Sequence, residues 1–239
     1  MGRLDGHRQS VLALADAGEG RLVSVSRDRT LRLWDVRESV GHVIGTTGST
    51  LLAITTLPDD RVATGDAEGD LTIWNLQDGT ASRRRAHSGW VWAIKTTHDG
   101  GLVTASEDGT VRLWDGSNDP VATLDCGEPL RTVDCWTDDT RRTWIAAGSA
   151  SGRIHLAERV AGSWQRRVVQ AHTAAVTRLR HCSKDGLLSC GEDGRVYHWA
   201  LPMWQQRLIR EHDNFATDAI RLRDGAILSS GYDGRIRRD

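Results

Sequence analysis

Short runs in which apolar and polar residues alternate recur along the whole chain. Examples are Val91–Thr97 (VWAIKTT), Gly101–Ser106 (GLVTAS) and Thr110–Asp115 (TVRLWD). Alternation with a period of two marks half-buried β-strands, and Asp-Gly or Gly-rich turns separate the runs. No window reads as a long amphipathic helix, and no linker or low-complexity tract interrupts the pattern. The chain is therefore expected to be all-β, with one domain spanning residues 1–239.

The strands come in groups. Six segments align on one motif: SRDRTLRLWD (Ser26–Asp35), DAEGDLTIWN (Asp66–Asn75), SEDGTVRLWD (Ser106–Asp115), SASGRIHLAE (Ser149–Glu158), GEDGRVYHWA (Gly191–Ala200) and GYDGRIRRD (Gly231–Asp239). The position held by Trp34 recurs at Trp74, Trp114, Ala157, Trp199 and Asp239, at intervals of 40, 40, 43, 42 and 40 residues. About 40 residues accommodate four strands of about five residues plus turns, which is one small antiparallel sheet. A single sheet of that size leaves apolar surface exposed, so six sheets must stack on their neighbours.

Composition narrows the function classes. The net charge of −1 gives no overall field for nucleic acid or acidic lipid. No apolar stretch approaches a transmembrane span, and MGRLDGHRQS offers neither a signal peptide nor the hydroxyl of a myristoylation site. A soluble, cytoplasmic location is the expectation. Cys126, Cys135, Cys182 and Cys190 form no C-x-x-C or zinc spacing, which reads as four reduced thiols with no metal and no cofactor. Ten Trp against one Phe and two Tyr demand a structural cause.

These motifs resemble the WD-repeat β-propeller family. A Gly-His or similar dipeptide opens each unit, and Trp-Asp closes it 27 residues after the His, as from His7 to Trp34. The resemblance implies a six-bladed WD-repeat β-propeller, its last blade lacking or borrowing the outer strand. It also implies a buried relay of His, Ser or Thr, Asp and Trp. The full sets are His7, Ser24, Asp28, Trp34; His87, Thr104, Asp108, Trp114; and His172, Ser189, Asp193, Trp199. Each such group costs a few kcal/mol when buried unpaired, and linked in series they satisfy one another. A Ser-His-Asp set suggests a hydrolase, but its repetition, with the Ser on a strand, reads as architecture.

Departures from the pattern are specific. The second repeat has Thr47 and Glu68 at the relay His and Asp positions. The fourth has Cys126, Ala147, Ser151 and Ala157 at the four relay positions. The sixth keeps His212, Ser229 and Asp233 but has Asp239 for Trp. The residues preceding Asp5 are too few for more than a weak latch on the last blade. A closed ring with a three-stranded last blade, an open or dimer-closed assembly with paired edges, and a piece of a longer polypeptide all remain open.

Family members contact partners through the propeller rim, at the third and fifth residues after the relay His and the residue before the relay Asp. Here those positions include Arg27, Trp90, Trp92, Glu107, Arg131, Glu192, Phe215 and Tyr232. Strand alternation would put Trp90 and Trp92 on one side with Val91 in the core. Beside Glu107 they form an aromatic-acidic patch suited to a protein or peptide partner carrying a cationic segment. The expected role is a non-catalytic scaffold, as a monomer or a strand-paired dimer. The alternatives are an enzyme or a metal- or ligand-binding propeller acting through its channel, and a regulatory or sensor subunit of a larger complex. Against the enzyme, Glu107 and Glu192 are the only rim acids. Arg83–Arg85, Arg141-Arg142, Arg166-Arg167 and Arg235–Arg238 read as solvated edges rather than nucleic-acid contacts. Trp164 and Trp204 fall in the expected outer strands, where they could mark a side-on partner. Trp136 and Trp144 flank a hairpin-like excursion in the degenerate fourth repeat. Trp34–Arg37 matches a short ligase-adaptor docking motif, for which chance is the better explanation.

Overall fold

The computed structural model describes residues 3–182, 186–201 and 204–239, and every regular element among them is a β-strand. The first blade is β1 (Val11–Gly18), β2 (Arg21–Ser26), β3 (Thr30–Asp35) and β4 (Val40–Thr46). The second is β5 (Leu51–Leu57), β6 (Arg61–Asp66), β7 (Asp70–Asn75) and β8 (Ala81–Arg85). The third is β9 (Val91–Thr96), β10 (Leu102–Ser106), β11 (Thr110–Trp114) and β12 (Ala122–Asp125). The fourth is β13 (Leu130–Thr137), β14 (Thr143–Ser149), β15 (Arg153–Val160) and β16 (Ser163–Gln170). The fifth is β17 (Val176–His181), β18 (Leu187–Gly191), β19 (Arg195–Ala200) and β20 (Gln205–Glu211). The sixth has three strands, β21 (Ala216–Arg221), β22 (Ile227–Gly231) and β23 (Ile236–Arg238). Every sheet is an antiparallel meander in chain order. The expected fold, an all-β six-bladed propeller, is the fold observed, and among the described residues the last blade has three strands.

Two compact units divide the chain, Met1–Asp125 with the first three blades and Cys126–Asp239 with the last three. Inside the units, three of the seams between blades share one device. The Trp at the end of a third strand lies over the second and third strands of the preceding blade. Trp74 packs with Val23, Val25 and Leu31, Trp114 with Ala63 and Leu71, and Trp199 with Ala146 and Ile154. These indoles are at most 5% exposed. Burying one such side chain contributes about 3 kcal/mol, which gives the unusual Trp content its structural cause. In the last interface of the second unit, Cys182 and Cys190 pack with Val196, Ala216 and Ile227 as small hydrophobes.

The tight turn from second to third strand needs a left-handed residue in every blade. Gly69, Gly109, Gly152, Gly194 and Gly234 supply it with φ between 74° and 94°, and Arg29 does so in the first blade at 68°. The first residues, which the sequence suggested as a latch, include Met1 and Gly2, outside the described residues. Arg3 to Ser10 form no strand. Among the described residues no helix is long and apolar enough to cross a membrane.

Candidate functional site

The relay geometry fixes what the recurring residues do. In the third blade His87 Nδ1 lies 3.0 Å from Asp108, and its Nε2 lies 2.7 Å from Thr104 Oγ1. Trp114 Nε1 donates to that same hydroxyl at 3.0 Å. The first and fifth blades repeat the chain through His7, Ser24, Asp28 and Trp34 and through His172, Ser189, Asp193 and Trp199. Burial pushes the His87 imidazole down to about 4 against the pull of Asp108. The ring is therefore neutral at pH 7, with Nδ1–H donating to Asp108 and Nε2 accepting from Thr104. Burial works against the Asp108 charge too, but donors from Thr110, the His87 ring and the Ser88 amide keep its carboxyl below the usual range. Ser24, Thr104 and Ser189 are at most 1% exposed, and each hydroxyl is held by an indole N–H. A nucleophile cannot work from there.

Two more members escaped the sequence reading. Thr30 and Thr110 donate to Asp28 and Asp108 at 2.6 and 2.7 Å and approach the His ring at 3.1 Å. The Asp-x-Thr spacing of SRDRT and SEDGT was the available signal. In the sixth blade His212, Ser229 and Asp233 keep their bonds without a Trp.

In the fourth blade a different network stands where the relay is lost. Glu128 accepts from His155 Nε2 at 2.7 Å and from Ser151 Oγ, and Arg153 reaches it at 3.4 Å. Its carboxyl sits below its ordinary range, because the bonds from Ser151, His155 and Ser149 outweigh burial. Separately, Trp136 stacks on His181 at 4.6 Å and on Trp144 at 6.1 Å, and Trp204 leans against both indoles. Trp204 is only 8% exposed, so the suggestion that it marks a side-on partner fails: it belongs to the seam between the fourth and fifth blades.

The rim positions share one local geometry. In every blade the carbonyl of the third residue after the relay His position accepts the N–H of the residue before the relay Asp position. The pairs include Trp90 with Glu107, Ala175 with Glu192, Phe215 with Tyr232 and Ser10 with Arg27, all at 2.9–3.0 Å. In every blade the fifth residue sits in a register irregularity at the start of the inner strand. Trp92 and Arg131 are such bulge residues, so a bulge, rather than plain alternation, directs their side chains. Val91 is fully buried.

In the first unit Trp90 is 46% exposed and lies 5.2 Å from the half-buried Trp92. Trp92 Nε1 donates to Glu107, a bond the sequence did not foresee, so the acid positions the indole. Arg27 stands exposed on its own blade. In the second unit Phe215 and Tyr232 form a ring pair 5.9 Å apart, Glu192 is exposed and Arg131 is partly buried. Among the described residues no three His, Cys, Asp or Glu side chains are grouped to hold a metal.

Comparison with known proteins follows the relay. A family model described as WD domain, G-beta repeat matches residues 1–35, 80–115 and 163–200, the segments that end the three blades with complete relays. A crystal structure of the computationally designed Ika8 protein is similar in fold, with a TM-score of 0.80 and 21% identity. The match covers 98% of this chain and 72% of that one. No protein of curated function matches.

Proposed function

From a chain that is a WD-repeat β-propeller, a fold whose common use is protein interaction, we propose a non-catalytic binding module working through its rim. One observation carries this reading. Among the described residues the only exposed Trp, Phe and Tyr side chains are Trp90, Phe215 and Tyr232, and all three occupy rim positions. Every other indole is drawn at least partly into the fold. Aromatic side chains left in water at matching positions suit them to anchor a partner.

The finer assignment centres on Trp90, Trp92 and Glu107. The exposed Trp90 face can stack on a guanidinium or ammonium group, and the neighbouring carboxylate favours that charge. The partner class is then a protein or peptide presenting a cationic segment. Arg27, Arg131, Glu192, Phe215 and Tyr232 supply further rim contacts on their own blades. The test is capture of binding proteins by the intact chain and by Trp90→Ala, with Trp90→Ala/Trp92→Ala as the second variant. Capture should be lost while the melting temperature of Trp90→Ala stays within about 2 °C of the parent, as expected for an exposed site. Retained capture, or a loss matched by unfolding, would reject the site.

A further inference from the structure

The residue after the relay Asp position sits where the backbone favours glycine, and five blades place one there. The first blade has Arg29 instead, held at φ 68° between β2 and β3. A side chain in the left-handed region strains the backbone, and such strain collects at functional sites. Arg29 returns little to the fold for it. Its side chain makes one hydrogen bond, a 3.4 Å contact to the Gly48 carbonyl.

Two more arginines border the same turn. Arg27 precedes Asp28, and its amide donates to the Ser10 carbonyl at 3.0 Å. Arg8 follows His7, and its amide donates to Asp28 Oδ2 at 2.8 Å. The side chains of Arg8, Arg27 and Arg29 are all exposed, and among the described residues no carboxylate pairs with any of them. The acid within the turn does not face them. Asp28 has a side chain only 7% exposed, and its oxygens are taken by His7, Thr30 and the Arg8 amide. Asp5 is already paired with Arg3 at 2.7 Å. Several other exposed arginines meet acids: Arg142 binds Glu158, Arg235 binds Asp213 and Arg238 binds Asp224. None of the corresponding three positions in the other five blades holds a basic residue.

We propose that Arg8, Arg27 and Arg29 form a docking site on the first blade for an acidic segment of a partner protein. Each guanidinium takes a carboxylate in a charge-assisted pair, which sets selectivity and speeds encounter. Arg29 reaches the loop that opens the second blade, whereas Arg8 stands on the loop that opens the first. The positive charge therefore spans two loops, and a run of carboxylates on an extended segment meets that spread better than one compact anion does. Nucleic acid is the poorer match. The chain carries 32 acidic against 31 basic residues, so no wider basic field supports a phosphate backbone. The site uses a different blade from the Trp90 patch and takes the opposite charge, so the two readings stand or fall separately.

The experiment titrates the full chain with a fluorescein-labelled peptide, Gly-Ser-Glu-Glu-Glu-Glu-Ser-Gly, by fluorescence anisotropy at low salt. It should bind about 10-fold more tightly than the same peptide with four glutamines. Arg8→Gln/Arg27→Gln should abolish that preference while melting within about 2 °C of the parent, as expected for exposed sites. Arg29→Gly should weaken binding by about 5-fold while its urea midpoint stays level or rises, a split that a merely structural residue does not give. Arg159→Gln/Arg223→Gln removes two exposed arginines from other blades and should bind the glutamate peptide unchanged. Equal affinity for the two peptides, full binding by Arg8→Gln/Arg27→Gln, or equal weakening in Arg159→Gln/Arg223→Gln would overturn the proposal. Tighter binding of a peptide with a single phosphoserine would assign a compact anion, and tighter binding of a single-stranded oligonucleotide would assign a nucleic acid; either result overturns it too.

Discussion

His87 Nδ1 stands 3.0 Å from the Asp108 carboxylate, and the same two positions meet at 2.9 Å in His7–Asp28 and His172–Asp193. The pair joins the loop before an inner strand to the turn between second and third strands, so it ties a blade together across 21 residues of sequence. Removing the acid strands a buried imidazole N–H. Asp108→Ala is expected to cost about 3 kcal/mol in urea unfolding. Asp115, the acid that follows Trp114, is exposed and caps only the Ser117 turn at 3.0 Å. Asp115→Ala is expected to cost about 0.5 kcal/mol. A reversed ranking would show that the motif acid, not the relay acid, carries the stability.

Acid should unfold this protein through its histidines first. The folded His87 takes its proton only near pH 4, whereas the unfolded chain takes it near 6.5, its ordinary value, and His172 is shifted in the same direction by burial. Between those two values the unfolded state binds more protons. The stability is present above pH 6.5 and is lost as pH falls through about 4. Asp108, held below its ordinary range, adds a loss of the same sign further down. Calorimetry from pH 7 to 4.5 should show a steadily falling melting temperature. His87→Gln should be less stable at pH 7, with a shallower slope. Equal slopes would rule out His87 as the titrating group.

Arg29 occupies the turn position that five blades give to glycine, and its φ of 68° places a long side chain in the left-handed region. That conformation costs about 1 kcal/mol for a residue with a Cβ. A glycine there loses some of the benefit through unfolded-chain entropy. The side chain makes one long contact, 3.4 Å to the Gly48 carbonyl. Arg29→Gly should therefore raise stability by about 0.5 kcal/mol, read as a higher urea midpoint at unchanged slope. Destabilisation would mean that the Gly48 contact matters more than the backbone.

How much of this was legible beforehand follows from what repeats. The blades, their register and the three complete relays were readable because Trp34, Trp114 and Trp199 stand 27 residues after His7, His87 and His172. Hidden from the sequence were the interactions that do not repeat. Glu128 meets His155 across 27 residues only after the fourth blade has lost its relay. Trp204 reads as an outer-strand residue, yet it turns inward at φ 55° to join Trp136 and Trp144. The Trp92–Glu107 bond depends on a bulge, and alternation alone cannot report a bulge. The division into two units has no marker either, because the repeats run through residue 125 without a break in spacing that composition betrays.

The second blade shows what happens when the relay His is replaced. With Thr47 there, Asp66 and Asp70 fill the turn and are 1% and 8% exposed. Asp66 Oδ1 accepts the amides of Glu68 and Asp70 at 2.9 and 3.0 Å, but its Oδ2 is buried without a hydrogen bond, with Arg83 at 3.9 Å. Burial raises the Asp66 carboxyl above its ordinary value, and the Asp70 charge adds to the rise. The folded state thus holds a proton that the unfolded state releases. Stability is higher at low pH and falls as pH rises through the raised value, and the full cost remains at neutrality. Asp66→Asn keeps the Oδ1 acceptor and removes the negative charge that burial penalises. The variant should gain about 1 kcal/mol at pH 7, of the order of the penalty for a buried group left unpaired. The gain should shrink toward zero as pH falls below the ordinary carboxylate range. Urea midpoints at pH 7 and pH 4 test both halves: a gain that is the same at both values would mean that the asparagine acts by packing and that the Asp66 charge costs the fold nothing.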